Sequence, residues 1–486
     1  MLYRMMLVLM AGCLPGSFAV PVSAQSDADA RPRVIVLTDI GNEPDDDQSL
    51  IRFLLYATDY DIEGIFATTS QHLQDRVAPQ RIDERIDAYQ AVHANLKIHS
   101  SAFPEPAVLR TRVASCQAGF GMAAVGERWD NEGARRLIAA VDSDDGRPLW
   151  VLAWGGTNCL AQALWQVSTE RSAAEIDAFV DRLRVYAISD QDDAGPWLRR
   201  RFPNLFYIVS PGDRIADYAN STWRGISGDH AWTGGGQWRE LLCFLLQRWG
   251  WSCGEPAGGP DFNLVDNPWL DEHIRRGPLG ALYPRTLYIM EGDSPSFMNL
   301  IDNGLEAHRS PAWGGWGGRY VLDRPLGEGR VIWTNHEDRV MDAGGAVHTT
   351  NQATIWRWRE AYQLDFAARM AWTVASAFEN ANHPPAIIVD GDAATGPVHR
   401  RISVGRSVDI PIVVHDPDGD PVALSAWQYR EAGTSPATVE IHWSGADLRL
   451  SLPEEVPSGT VHVIVEAVDG GAQSMTRYRR ILLAIP

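Results

Sequence analysis

The sequence predicts an α/β protein, a mainly parallel sheet with flanking helices, followed by a C-terminal immunoglobulin-like β-sandwich. Two patterns predict this. From Arg33 onward, short β-branched runs alternate with stretches of helical period, which implies strands joined by helical crossovers. Beyond Glu379 the runs alternate apolar and polar residues with turn signals between them, over about a hundred residues. A length of 486 residues accommodates both parts.

In order, Arg33 to Leu37 is a strand that feeds an acidic turn. Gln48 to Ala57 is a helix with Leu50, Phe53, Leu54 and Tyr56 among its apolar residues. Ile62 to Thr68 is a strand and Arg81 to Ala94 a helix. Leu149 to Ala153 is a strand running into Gly155-Gly156, followed by a helix from Asn158 to Val167. Arg184 to Ser189, Leu205 to Val209 and Thr286 to Met290 are further strands, and a helix from Thr354 to Phe378 closes the α/β part. Asn382-His383-Pro384-Pro385 reads as a linker, so the expected domains are residues 31–380 and 387–486. The second contains strands Ser407 to Val414, Val422 to Tyr429, Val439 to His442, His462 to Val468 and Arg477 to Ile485.

The N-terminus is expected to be a signal peptide over residues 1–24. A basic start is followed by the apolar run Met5 to Leu14, and Val22-Ser23-Ala24 offers a cleavage site. Export to the periplasm or beyond follows, with a lipoprotein box at Met10 to Cys13 as the weaker reading. No later apolar run reaches membrane-spanning length. A net charge of −19 disfavours nucleic acid as a partner. Of 5 cysteines, Cys13 falls in the leader. The other four permit the pairs Cys243–Cys253 and Cys116–Cys159, with buried free thiols as the alternative.

Three segments suggest chemistry. Thr38 to Gln48 places five carboxylates within nine residues, between a strand and a helix. Acids favour a helix N-terminus, but so many at one strand end repel one another unless a hard cation such as Ca²⁺ lies among them. Trp154-Gly155-Gly156-Thr157-Asn158 allows close backbone approach at a second strand end, and Glu291-Gly292-Asp293-Ser294-Pro295 puts an acid at a third. Trp313 and Trp316, set among glycines in a chain with 19 tryptophans, suit stacking on a sugar face. His72 and His336 are read as structural, and Asp416-Pro417-Asp418-Gly419-Asp420 as a turn, with a calcium site as the alternative.

On these residues the chain resembles nucleoside hydrolases. Asp39 with Asp45-Asp46, then Gly-Gly-Thr-Asn, then Asp293-Ser-Pro are similar to that family's calcium sites, in the same order. The closer resemblance is to a secreted nucleoside-hydrolase-like family with a C-terminal β-sandwich, some of whose members are described as cellulose-binding. It rests on Thr38-Asp-Ile-Gly-Asn-Glu-Pro-Asp-Asp, Trp313-Gly-Gly-Trp-Gly-Gly-Arg-Tyr, Ala353-Thr-Ile-Trp-Arg-Trp-Arg and His415-Asp-Pro-Asp-Gly-Asp. The resemblance implies Ca²⁺ held by Asp39, Asp45, Asp46, Asp293 and the carbonyl of Thr157. Two departures stand out. Gly41 takes the place of the Asp that serves the hydrolases as ligand and base, and Gly292 the place of a His that acts on the leaving base.

The expected function is therefore an exported, calcium-dependent hydrolase of glycosyl bonds, acting on an N-glycoside or a plant-type oligosaccharide. Glu43 and Asp39 are the expected catalytic residues. Asn42, Asn158, Asp190, Asp192, Asp193, Trp313 and Trp316 are the expected contacts to a small sugar, nucleoside or oligosaccharide. The rival reading is a non-catalytic carbohydrate-binding protein on the same fold.

Overall fold

The computed structural model describes residues 31–210, 264–285, 291–325 and 328–486. The expected leader, the Cys243–Cys253 pair and the strand expected at 286–290 lie outside the described residues.

The chain forms two compact units. The first, Pro32–Ile301 with Gly314–Ser376, is built on an eight-stranded sheet. Its strands are β1 (Arg33–Thr38), β2 (Asp61–Ala67), β3 (Val113–Ser115), β4 (Leu149–Ala153), β5 (Leu183–Ser189), β6 (Phe206–Ser210), β7 (Tyr320–Asp323) and β8 (Ile332–Asn335). The spatial order is β3-β2-β1-β4-β5-β6-β8-β7, parallel except for β7 against β8. Val34 to Leu37 are fully buried, as expected of a parallel strand covered on both faces. Between β1 and β4 the order of strands reverses, so the carboxyl ends of these two flank the crevice where such sheets take ligands.

Helices Asp45–Leu55, Pro79–His99 and Asn158–Glu170 lie where the sequence indicates helix, each longer than or offset from its expected range. The helix expected from Thr354 to Phe378 is two helices, Ala353–Trp356 and Arg359–Trp372. Trp356 and Trp358 are both buried. Side chains two apart point to different sides of a helix, so sending both indoles inward favours a break between them. Cys116 and Cys159 form the expected disulfide.

The second unit is Ala377–Pro486 together with Asp302–Trp313. It contains β11 to β18, after a hairpin of β9 (Asp338–Met341) and β10 (Val347–Thr350) in the first unit. One sheet runs β11-β13-β16-β15 and the other β12-β18-β17-β14. Their ranges are β11 Ala386–Val389, β12 Val398–Arg401, β13 Ser407–His415, β14 Val422–Tyr429, β15 Glu440–Ser444, β16 Asp447–Ser451, β17 Gly459–Asp469 and β18 Thr476–Ile485. Ile410, Leu448 and Leu450 from one sheet share a core with Val463, Ile481 and Leu483 from the other. All pairings are antiparallel except β12 with β18.

The division thus differs from a single boundary near residue 380, because Asp302–Trp313 packs with the sandwich. Tyr478 N–H donates to the Asn303 carbonyl at 2.8 Å and Arg480 Nε to that of Leu305 at 2.6 Å. Gly304 has φ +88°, and a Cβ there would collide with the Tyr478 carbonyl. Only glycine combines that conformation with that approach.

Candidate metal centre

The three acidic or glycine-rich segments meet at the carboxyl ends of β1 and β4. An aromatic cluster ties them together. Phe53, on the helix after the acidic turn, meets the ring of Trp154 at 6.1 Å and that of Phe297 at 5.3 Å. Trp154 Nε1 also donates to Ser296 Oγ at 2.8 Å, and Glu291 N–H to Gln48 Oε1 at 3.0 Å. Each segment therefore contributes one anchor to shared packing and one polar group to the cleft above it.

Carboxylate oxygens of Asp45, Asp46 and Asp293 lie within 4.8 Å of one another, all three residues buried. Asp39 is buried beside them. Among the described residues none of these four has an ion-pair partner. Burial raises the pKa of each. Glu43 and Asp39 raise Asp45 further, Asp39 and Asp45 raise Asp46, and Asp46, Asp45, Asp39 and Glu43 raise Asp293. Glu43, partly exposed at the rim, is pushed up to about 7 by burial and by Asp39. Asp47 is separate: Arg85 at 2.7 Å and Arg81 at 3.1 Å neutralise it.

A hard divalent cation fits this set. Asp45 Oδ1 and Asp293 Oδ2 are buried with no hydrogen-bond donor among the described residues, which is costly for an ionised group unless a metal satisfies it. Gly155 provides the room: a Cβ there would lie 2.6 Å from Asp39 Oδ1. All the donors are carboxylate oxygens, the ligand type Ca²⁺ takes.

Other expected site residues are engaged elsewhere. The Thr157 carbonyl accepts from Ala161 N–H at 3.0 Å, so it begins a helix, and its second lone pair is not used by that bond. Asn158 is buried, its amide donating to Thr69 Oγ1 and the Gly119 carbonyl and accepting from Thr68 Oγ1. Asp190 is gripped by Arg199 at 2.8 and 2.7 Å. Asp193 accepts from Met122 N–H. Asp192, buried, accepts from Thr157 Oγ1, Asn158 N–H and Ala194 N–H; burial still lifts its pKa to about 6. These contacts fix loops, so their assignment to substrate does not follow from the structure. Trp316 is fully buried near Tyr362 and has no face for a sugar. Trp313 is half-buried and belongs to the sandwich unit. Asn42 is exposed on the acidic turn.

The sequence reading missed Ser70 and took His72 as structural. Both lie on the loop after β2, at the same edge of the sheet. Ser70 hydrogen-bonds to Asp39, and His72 Nε2 lies 3.8 Å from Glu43 Oε2. A polar loop following a parallel strand was the available signal.

Gly41 has φ +109°, and a Cβ there would lie 3.2 Å from the Ala78 Cβ. Any other side chain is strained at that position, and it would start out against the helix Pro79–His99 and its preceding residue. The missing Asp is thus matched by a backbone unsuited to carrying one.

Fold and acidic cleft together define a nucleoside-hydrolase-like α/β protein with an appended β-sandwich. The family model "Cellulose-binding Sde182, nucleoside hydrolase-like domain" matches residues 33–243 and 244–320, and "Cellulose-binding protein Sde0182, C-terminal domain" matches 412–485. The chain belongs to this Sde182 cellulose-binding family. It is similar to the solved structure of a nucleoside hydrolase-related hypothetical protein from Saccharophagus degradans that is associated with carbohydrate metabolism. Identity is 33% over 94% of this chain and 100% of that one, with a TM-score of 0.77. Similarity to the effector protein XOO4466 is slight, at 12% identity, 63% and 87% coverage and a TM-score of 0.30, and nothing rests on it. No curated protein matches the sequence. Among the described residues no helix is long and apolar enough to cross a membrane.

Proposed function

We propose that the protein is a metal-dependent hydrolase of glycosyl bonds in which Glu43 accepts the proton of the attacking water. The observation that supports this most is the buried set Asp45, Asp46 and Asp293, mutually facing and, among the described residues, without a cationic side chain, with Glu43 at its rim. Asp39, Asp45, Asp46 and Asp293 would hold a divalent cation such as Ca²⁺. Such a cation, when bound, polarises sugar hydroxyls and keeps neighbouring carboxylates ionised. Glu43 is partly open to solvent, so water reaches it. Its place at the rim, beside the carboxylates that would hold the cation, suits a general base. His72, whose pKa burial lowers, has Nε2 3.8 Å from Glu43 Oε2 and sits where it can relay a proton to or from Glu43. The Cys116–Cys159 disulfide supports export to an oxidising compartment.

The test is turnover of aryl glycosides, plant oligosaccharides and nucleosides by the intact protein at millimolar calcium. Glu43→Gln should lower turnover by roughly 10²–10⁴-fold while metal binding persists. Near-normal turnover in that variant removes Glu43 from the mechanism. The second reading, carbohydrate binding without turnover, is favoured by the Gly41 backbone. Binding of a panel member with no turnover of any would establish it instead.

A further inference from the structure

The sandwich unit carries a second cavity that the metal centre does not explain. Strand register builds its floor. On the sheet face turned away from the core, His399 of β12, Leu482 of β18 and His462 of β17 form one cross-strand row, and Arg401, Ala484 and Thr460 the next. Trp313 and Thr434 add walls to a cavity of about 630 Å³, a size suited to a small ligand.

Its chemistry is unlike the rest of the protein. The chain has a net charge of −19, yet the described lining contains no carboxylate and includes Arg400, Arg401, His399 and His462. Arg400 is paired with Asp390. Arg401 has no ion-pair partner among the described residues. The indole of Trp313 is held from the protein side: His462 meets it edge-on at 5.5 Å and the Arg480 guanidinium lies 5.4 Å from its centroid. Arg480 Nη1 lies 2.9 Å from His462 Nδ1. A guanidinium only donates, so Nδ1 accepts and the neutral ring carries its proton on Nε2, a further donor. Burial and Arg480 depress the His462 pKa to about 3, in keeping with that neutral ring.

We propose that this cavity binds an acidic saccharide, a uronic-acid unit whose ring packs on Trp313 and whose carboxylate pairs with Arg401. An apolar ring face, uncompensated guanidinium and ring of hydroxyl and imidazole groups match the three parts of such a ligand: sugar face, carboxylate and hydroxyls. A neutral glucan would form no ion pair with Arg401.

Calorimetric titration of the full chain with trigalacturonate, glucuronate, cellotriose and acetate tests this. Trigalacturonate or glucuronate should bind, cellotriose at least about tenfold more weakly, and acetate not measurably. Arg401→Gln and Trp313→Ala should each weaken uronate binding by about tenfold or more. Arg401 is exposed, so its variant keeps the fold even where Trp313→Ala does not. Tighter binding by trigalacturonate than glucuronate would place the ligand within a chain, and the reverse would make it a free sugar acid. Cellotriose binding as tightly as the uronates, acetate competing equally with them, unchanged affinity in Arg401→Gln, or no binding at all would overturn the proposal. Asp45→Asn should leave the titration unchanged; loss of uronate binding there would assign the ligand to the other site and overturn it too.

Discussion

Glu291 and Asp293 lie on one loop, two residues apart and both buried, in opposite surroundings. Glu291 has positive φ (53°) and is held by the Arg52 guanidinium, Tyr283 Oη at 2.5 Å and Ser294 Oγ at 2.8 Å. Arg52 in turn lies 3.8 Å from the Phe366 ring centroid. Among the described residues the charges that act on Asp293 are those of other carboxylates, and one of its oxygens has no donor. The first acid is a compensated brace that holds the loop. The second is a charge the protein leaves for something else to satisfy. Burial alone does not mark a functional acid; the absence of compensation does.

The comparison would break most visibly at Arg52. Arg52→Met strands a buried carboxylate, so denaturant unfolding should show a loss of about 3–5 kcal/mol. A loss of under about 1 kcal/mol would mean that Glu291 is not the charged brace described. A smaller loss, about 1–2 kcal/mol, is expected for Gly41→Asp, from the strain of a side chain at φ +109°. Calcium titration of that variant should show no gain in affinity; tighter binding would mean that the added carboxylate does reach the centre.

Asp293→Asn should act with the opposite sign. In chelator-treated protein at pH 7 it removes a repelling charge and should stabilise by about 1 kcal/mol. The rise in Tm on adding calcium should disappear in the same variant. A stability loss without metal would count against an uncompensated cluster.

The broadest effect is on pH. The centre's carboxylates have folded-state pKa values raised above their unfolded ones, Glu43 from 4.5 to about 7. Between those values the folded state binds more protons than the unfolded state, so stability falls as pH rises. Metal-free protein should therefore melt at a lower temperature at pH 7.5 than at pH 5, and saturating calcium should reduce the difference. A pH-independent Tm without metal would remove the electrostatic basis of the centre.

Much of the fold was legible in the chain because its signals are local. Period, β-branching and turn residues placed β1, β2, β4, β5 and most sandwich strands within a few residues. Short strands such as β3 and β12 have too few side chains to show a period, and β12 sits beside β18 in a parallel pairing that no hairpin signal announces. The break at Arg357–Trp358 was hidden because both flanking indoles read as good helix-face residues until their common burial is known.

For the site, the sequence by itself determined which acids exist and that Asp39, Asp45 and Asp46 fall where a strand of a parallel sheet passes into the helix after it. Their place at the carboxyl end of β1 follows from that rule, since ligands sit at strand carboxyl ends where strand order switches; that Asp293 joins them is seen only in the structure. Tertiary structure decided which acids remain uncompensated. Asp47, Asp190 and Glu291 were given arginines from distant segments, Arg85, Arg199 and Arg52. It also decided the fate of the two conspicuous tryptophans, burying Trp316 in one unit and setting Trp313 at a cavity in the other. Neighbours in sequence share a local conformation, but compensation of a charge and exposure of a ring depend on which residues arrive from elsewhere in the chain.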